Sequence, residues 1–294
     1  MTNQLSIGFI GLGVMGEPMC RNLARKSGRP VIALDLDPEP LARLKSDGVR
    51  PAASVGEIVE AAAVIMLSLP SGSEVEAICR GEGGLAARAG SGQTVVDLGT
   101  SPVKLTRALA EKFAERGADF ADAPVARTRA AAEAGTLSVM VGASEQIFRR
   151  IAPLLATFAT EITHCGAVGA GQLTKILNNM VLFETGVALA EALALARAGG
   201  LDPALLFSTL AKGSADSFAL RNHGMKAMLP GNFPERAFSA RYARKDLSYA
   251  LECAADAGLR LAGAEEARTR LDEAIAQGFG ENYWPVLAKV IGNP

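Results

Sequence analysis

From Leu5 to about Cys165 short apolar runs alternate with amphipathic stretches, the spacing of strands each followed by a helix in a parallel sheet. Runs at 6–10, 31–35, 64–69, 94–98, 119–122, 137–141 and 161–164 predict strands, and 14–26, 39–46, 104–116 and 144–158 carry helical periodicity. After Gly166 the alternation stops. Residues 171–198 form a long, mostly apolar stretch without proline, followed by helical patterns at 202–212, 239–257, 264–277 and 283–291. The pattern predicts an α/β doubly wound parallel sheet over 1–166 and an all-α C-terminal domain over 167–294, the latter beginning with a long interdomain helix. A helix apolar almost all round must be covered on most sides by its own chain or a second subunit, so a homodimer or homotetramer is expected. No internal repeat or low-complexity segment interrupts the chain.

Composition narrows the class. The 294 residues suit about two domains at roughly 150 residues each. With 49% hydrophobic and 21% charged residues, the bulk of the chain is outside the composition range of disordered proteins. Thirty basic against thirty-one acidic side chains leave no positive field to hold nucleic acid or an anionic membrane. Residues 1–4 lack a positively charged leader start, and no apolar run reaches the roughly 18 residues of a membrane span, so a cytoplasmic protein without membrane partners is expected. Cys20, Cys79, Cys165 and Cys253 are scattered, and His164 and His223 are the sole histidines, so no metal site is expected.

The first chemical signal is Gly11-Leu12-Gly13-Val14-Met15-Gly16, directly after the first strand and opening a helix. That context turns the glycine pattern into a Rossmann dinucleotide-binding signature. Gly11 permits the tight turn, Gly13 lets a pyrophosphate approach the backbone, and Gly16 allows helix to pack on strand. The helix N-terminus adds unpaired N–H groups and a partial positive charge. Asp35, about twenty residues beyond Gly16, ends the second strand where a carboxylate can accept from both adenosine ribose hydroxyls. Asp35, Asp37 and Glu39 would repel a 2′-phosphate, so NAD is expected over NADP. Leu69 and Pro70, and also Thr100, follow later strands on the edge where open parallel sheets bind ligands; they are candidate cofactor contacts, with plain turn chemistry as the alternative.

Four segments together resemble the β-hydroxyacid dehydrogenase family, which includes 3-hydroxyisobutyrate dehydrogenases and tartronate semialdehyde reductases. They are the glycine loop from Gly8 to Gly16; Asp122-Ala123-Pro124-Val125 running on to Gly135-Thr136-Leu137; Gly169-Ala170-Gly171-Gln172-Leu173-Thr174-Lys175 with Asn178-Asn179; and Lys245-Asp246-Leu247. They follow the family's order across nearly the whole chain. The resemblance implies a Rossmann domain followed by a helical domain, with Lys175 as catalytic acid/base, Asn179 orienting substrate and lysine, Asn178 in the substrate set, and Lys245 near nicotinamide with Asp246 beside it, a surface salt bridge being the alternative for Lys245. From the residues themselves, Lys175 and Asn179 share a helix face with Gln172 one turn earlier, and a lysine among apolar neighbours needs a partner or a proton loss.

One departure bears on substrate. After Asp-x-Pro-Val the family commonly carries Ser-Gly-Gly, whereas this chain has Ala126-Arg127-Thr128. An arginine fork suits a carboxylate, sulfonate or phosphate better than small residues do, so Ala126, Arg127 and Thr128 are expected at the acid end of a short hydroxy acid or aldehyde. The Arg-Thr pair is similar to that of sulfolactaldehyde reductases, although Ala126 stands where those have Gly and Arg129 adds a second charge. Arg127 tying down a loop is the structural alternative. Methylmalonate, tartronate and succinate semialdehydes are the other substrates the resemblance admits. An imine reductase and a non-catalytic NAD-binding sensor are rival activities, both disfavoured by Lys175. Ser214, Phe218 and Phe238 could line the site, with core packing the expectation for both phenylalanines; His164 is expected as a satisfied turn residue and Trp284 in the core or a subunit contact.

Overall fold

A computed structural model describes residues 6–235 and 237–292, so the expectation placed on residues 1–4 lies outside the described residues. The chain divides into two compact units, Met1–Lys175 and Ile176–Pro294.

Among the described residues the first unit is built on nine strands: β1 Ser6–Ile10, β2 Val31–Leu34, β3 Val49–Pro51, β4 Ala62–Leu67, β5 Thr94–Asp97, β6 Asp119–Asp122, β7 Val125–Ala126, β8 Leu137–Gly142 and β9 Ala159–Gly166. Their spatial order is β3-β2-β1-β4-β5-β6-β8-β7, with β9 also paired to β8. The helices are α1 Gly16–Lys26, α2 Pro38–Leu44, α3 Val55–Ala61, α4 Gly72–Arg80, α5 Leu85–Arg88, α6 Val103–Ala114, α7 Arg129–Ala134 and α8 Glu145–Leu155. Alternation along the strands sends side chains to two cores. Ile7 and Phe9 of β1 join Met19 and Leu23 of α1 and Ile151 and Leu155 of α8. On the opposite face Ile10 joins Ile58 of α3, Val75 of α4 and Leu109 and Phe113 of α6. Helices therefore cover both faces, as a doubly wound sheet requires.

The structure adds β3, β7, α3, α4, α5 and α7 to the sequence expectation, all short elements with little room for a period to declare itself. It also corrects the parallel assignment at one end. β6 and β8 pair antiparallel, as do β7 and β8, while the β1–β6 set and the β8–β9 pair are parallel. A parallel return needs a crossover lying over the sheet. The chain instead leaves β6 through β7, which folds back on β8.

The helical region contains α9 Ala170–Ala198, α10 Pro203–Leu210, α11 Ala240–Asp256 and α12 Ala262–Ala274, with π-helical turns at Leu220–Met228 and Ile275–Phe279 and a 3₁₀ stretch at Trp284–Lys289. The core of the second unit gathers Phe183, Val187, Ala190 and Leu193 of α9 around Trp284, Phe207, Leu247 and Leu271. α9 is long and apolar enough, at a mean hydropathy of 1.4, to pass the membrane-span criterion that no run of the sequence was expected to meet. Its Phe183 side is nonetheless a protein core. Its other side leaves Val181 57% and Leu195 75% exposed, so this chain alone does not cover the helix all round. Trp284 is fully buried and Phe238 packs on Phe183, but Phe218, expected in the core, is 56% exposed. The polar, exposed segment 212–216 leads into it, and His223 is the ring set against its edge.

Gly186 lies under the Trp284 ring, and a Cβ built there would sit 2.5 Å from Cζ3 and 2.6 Å from Cη2. Alanine gains about 1 kcal/mol over glycine in a helix interior. Overpacking a core costs about 1–3 kcal/mol and wins here. Gly186→Ala should therefore lower Tm; a thermal melt showing equal or higher Tm would contradict the packing described.

Candidate active site

The glycine loop has distinct physical duties at each position. Gly11 has φ +93°, and a Cβ there would strike the Ser68 carbonyl; one at Gly16 would strike the Gly11 carbonyl. A Cβ at Gly13 meets nothing within 4 Å, so at this point the loop is open to an approaching group. No side chain caps the N-terminus of α1 at Met15. Leu12 N–H donates to Asp35 Oδ2, and Asp37 N–H donates to Asp35 Oδ1 at 2.8 Å. Asp35 is thus fixed just past β2 beside the loop. The neighbouring turns meet the same edge: Ser68 N–H donates to Ile10 O at 2.8 Å and Leu98 N–H to Leu67 O at 2.8 Å. The Leu69 side chain lies beside Gly11, and Thr100 is half-buried just beyond β5. An open glycine, an uncapped helix start and a fixed carboxylate fit a dinucleotide's pyrophosphate and ribose.

Farther along the same carboxyl edge two buried carboxylates end neighbouring strands, Asp97 on β5 opposite Asp122 on β6. Asp122 Oδ1 accepts from Gly169 N–H and Oδ2 from Gln172 N–H, both at 2.7 Å. Burial pushes its carboxyl up to about 6, against the pull of the N–H groups of Gly169, Gln172 and Gly171. Asp97 accepts from Ser101 Oγ at 2.7 Å and from Gln172 Nε2 at 3.3 Å, and Gln172 Oε1 accepts from Ser101 N–H at 3.1 Å. The first turn of α9 is thereby tied to the ends of β5 and β6, and Lys175 stands one turn later, half-buried. Asp122 belongs to the Asp-x-Pro-Val motif, which by itself assigns it no task. An aspartate closing an apolar strand was the available signal.

Asn179, four residues after Lys175, is buried and donates from Nδ2 to Asp246 Oδ2 at 2.8 Å. Asn178 is exposed and donates to Asn179 Oδ1 at 3.1 Å. Lys245 Nζ lies 3.2 Å from Asp246 Oδ1 and within 5.2 Å and 5.7 Å of the Tyr242 and Tyr249 ring centroids.

The 126–128 segment is more constrained than its sequence suggests. Ala126 ends β7. Arg127 has φ +88°, the one left-handed non-glycine among the described residues, at the place where the related pattern has glycine. Its Nη1 donates to Thr136 O at 2.6 Å and Thr160 Oγ1 at 3.3 Å, so the guanidinium does pin a loop; it bonds no other expected site residue. Thr128 caps α7, accepting Ala131 N–H at 3.4 Å, and Arg129 pairs with Glu133 at 2.9 Å. The histidines are engaged elsewhere. His164 Nε2 is 2.8 Å from Ala143 O with its ring on Phe148, and His223, 2.5 Å from Tyr283 Oη, is pushed down to about 4 by burial. Ser214 is exposed.

Comparison with known proteins identifies the family. Residues 6–166 match the family described as the NAD-binding domain of 6-phosphogluconate dehydrogenase, and residues 169–289 match that described as NAD-binding of NADP-dependent 3-hydroxyisobutyrate dehydrogenase. The chain is 35% identical to 2-(hydroxymethyl)glutarate dehydrogenase of Eubacterium barkeri, over 99% of this chain and 96% of that one. It is 38% identical to 3-hydroxyisobutyrate dehydrogenase of Pseudomonas aeruginosa, over 83% and 84% of the two chains. A solved 3-hydroxyisobutyrate dehydrogenase of Mycobacterium tuberculosis, with L-serine, superposes with a TM-score of 0.88 at 30% identity, covering 98% and 99%.

The glycine geometry separates cofactor binding from folding. Gly13→Ala should leave Tm nearly unchanged and weaken NADH binding about tenfold or more, because the new methyl enters the space a pyrophosphate needs. Gly16→Ala should lower Tm. Thermal melts and NADH fluorescence titrations of the two variants check both, and equal NADH affinity in Gly13→Ala would remove the loop from the cofactor site.

Proposed function

The chain belongs to the β-hydroxyacid dehydrogenase family and is an NAD-linked oxidoreductase acting on CH–OH groups, and within that frame we propose that it interconverts a short anionic hydroxy acid and the matching aldehyde. We place cofactor binding in 1–166 and substrate binding and self-association in 167–294, as a cytoplasmic homodimer or homotetramer. The exposed Val181 and Leu195 of α9 support self-association.

The bound nicotinamide accepts or supplies the hydride. Gly11, Leu12, Gly13, Val14 and Met15 hold the pyrophosphate, Asp35 the ribose, and Leu69, Pro70, Thr100 and Lys245 complete the cofactor contacts. NAD is preferred because Asp35 is locked in place with Asp37 and Glu39 beside it, while Arg43, the first arginine after Asp35, is already held by Glu17 and Glu39. In reduction Lys175 as an ammonium donates a hydrogen bond and then the proton to the carbonyl oxygen; in oxidation the neutral amine takes that proton back. Oxidation needs the neutral amine as base, so that direction improves as the pH rises. Asn179, braced by Asp246, orients substrate and lysine, and Asn178 borders the substrate.

The substrate class follows from chemistry shared by the relatives. 3-Hydroxyisobutyrate, 2-(hydroxymethyl)glutarate and serine all carry a hydroxymethyl group on the carbon bearing a carboxylate. Ala126, Arg127 and Thr128 are the residues we assign to that acid end. The observation that carries this is Arg127, an arginine kept in a glycine conformation whose bonded nitrogen is Nη1 alone. The guanidinium's remaining donors suit a carboxylate or a sulfonate, so sulfolactaldehyde stands beside methylmalonate, tartronate and succinate semialdehydes as a candidate substrate.

Lys175→Met should bind NADH normally and lose turnover by about a hundred- to ten-thousand-fold. Unimpaired turnover would exclude the lysine from the chemistry. A wild type that binds NADH but shows no 340 nm absorbance change on a panel of matched carboxylates and sulfonates with NADH and NADPH would overturn the proposed substrate class.

Arg127→Gly should change stability little, because relief of the left-handed backbone offsets two exposed hydrogen bonds worth about 1 kcal/mol each. Its KM should rise most for the most strongly anionic substrates on the panel. A uniform loss across the panel would assign Arg127 to loop structure alone.

A further inference from the structure

We propose that Asp122 is the positioning residue for Lys175: its carboxylate fixes the first turn of α9 on the sheet edge, and so fixes where the ammonium one turn later can reach. The role of the lysine rests on the functional reading above; the anchoring rests on geometry alone.

Three elements converge on this carboxylate. It closes β6, accepts the N–H groups of Gly169 and Gln172, and is walled by Gly142 at the end of β8 and Gly171 in α9. A Cβ at Gly142 would come within 2.8 Å of Asp122 Cγ, and one at Gly171 within 2.8 Å of Oδ2 and 2.7 Å of Gly142 N. Neither glycine has a left-handed φ, so what demands them is the space taken by the carboxylate and the close approach of β8 to the helix. Gly169, at φ +92°, makes the bend that aims its N–H at Oδ1. A helix start offers several N–H groups without intrahelical partners and a partial positive charge, so a buried carboxylate there is compensated by the helix it holds. The side chain of Gln172 extends the same fixation to Asp97, Gly99 and Ser101. Lys175 is three residues on from Gln172, close enough that a small shift of the first turn moves its ammonium by a comparable amount. Misplacing a reacting group by about 1 Å can cost about a hundredfold in rate.

Asp122→Asn keeps the shape but turns one acceptor into a donor facing an N–H. In the full-length chain with NADH bound, we expect a folded protein whose 169–173 amides exchange faster with deuterium. We also expect kcat to fall by about 10- to 100-fold while the NADH dissociation constant stays within about twofold. Leu85→Ala, which opens the core under α5, serves as the stability control: with a similar loss of Tm it should keep wild-type kcat well below its melting point. Gly171→Ala, which retains the carboxylate but crowds it, should reproduce the kinetic split and carries the test if Asp122→Asn does not fold. Wild-type kcat in a folded Asp122→Asn, unchanged exchange at 169–173, or a parallel loss of NADH affinity would each overturn the proposal. A wild-type chain that turns over nothing on the substrate panel sinks the lysine's role, while the exchange result still decides whether Asp122 anchors the helix.

Discussion

A single buried carboxylate sets the terms for the carboxyl edge of the sheet in the first unit. Taking an ionised aspartate out of water costs several kcal/mol unless donors replace the solvent, and β6 ends with Asp122 fully enclosed. The donors come from the chain forty-seven and fifty residues later, at the start of α9. Each side needs the other: the helix start has N–H groups to satisfy and the carboxylate has lone pairs to fill. Asp97, Gln172 and Ser101 repeat the arrangement one strand over, so β5 and β6 are tied to one turn of helix by main-chain and side-chain bonds together. With the ends of β1, β2 and β4 occupied by the glycine loop and its neighbours, the carboxyl edge holds two kinds of fixed group: an open loop and carboxylate at the β1–β2 end, and an anchored helix at the β5–β6 end.

Glycine does different work at these two places. Gly11 and Gly16 are required by contact with other backbone, and Gly13 by nothing within the chain, so an unfilled space at Gly13 points to a ligand where a filled one at Gly16 points to packing. Gly142 and Gly171 are of the packing kind, but what they pack against is a charged group that cannot be trimmed without losing the bond. The sequence pattern G-x-G-x-x-G makes the first set visible. No comparable pattern marks the second, because its members sit on different elements and meet only in the fold.

That contrast describes what could be read in advance. The β1–α1–β2 unit, the strands of the parallel set and the long α9 follow from periodicity, and Asp35 follows from its distance to the loop. The short β7 and α7 do not, since two- and six-residue elements carry no period, and the reversed direction of β8 is decided by its pairing with β7 rather than by its own residues. Leu220–Met228 was missed because a π-helical turn blurs the spacing that helical reading depends on. The Asn179–Asp246 bond joins two quoted motifs, but their sixty-seven-residue separation hides the contact. Arg127 is the instructive case. Its departure from glycine was legible, whereas the retention of φ +88° beneath it was not.

The segment from Asp122 to Thr128 thus contains two features that a chain selected only for stability would avoid, a buried charge and a left-handed arginine. The first is offset by the helix N–H groups it accepts from, though not completely, since burial still raises its carboxyl above the ordinary range. The second is roughly balanced: Arg127 gains the bonds from Nη1 to Thr136 and Thr160, exposed bonds of about 1 kcal/mol each, against a left-handed backbone that costs an L-residue about 1–2 kcal/mol. Glycine would hold the same bend at no steric cost. Stability alone is therefore nearly indifferent between the two residues at 127, and we propose that the difference lies in what a planar cation can hold that a hydrogen cannot. That is the physical ground for placing an anion at this turn, and it is independent of the ground for placing a proton donor on α9.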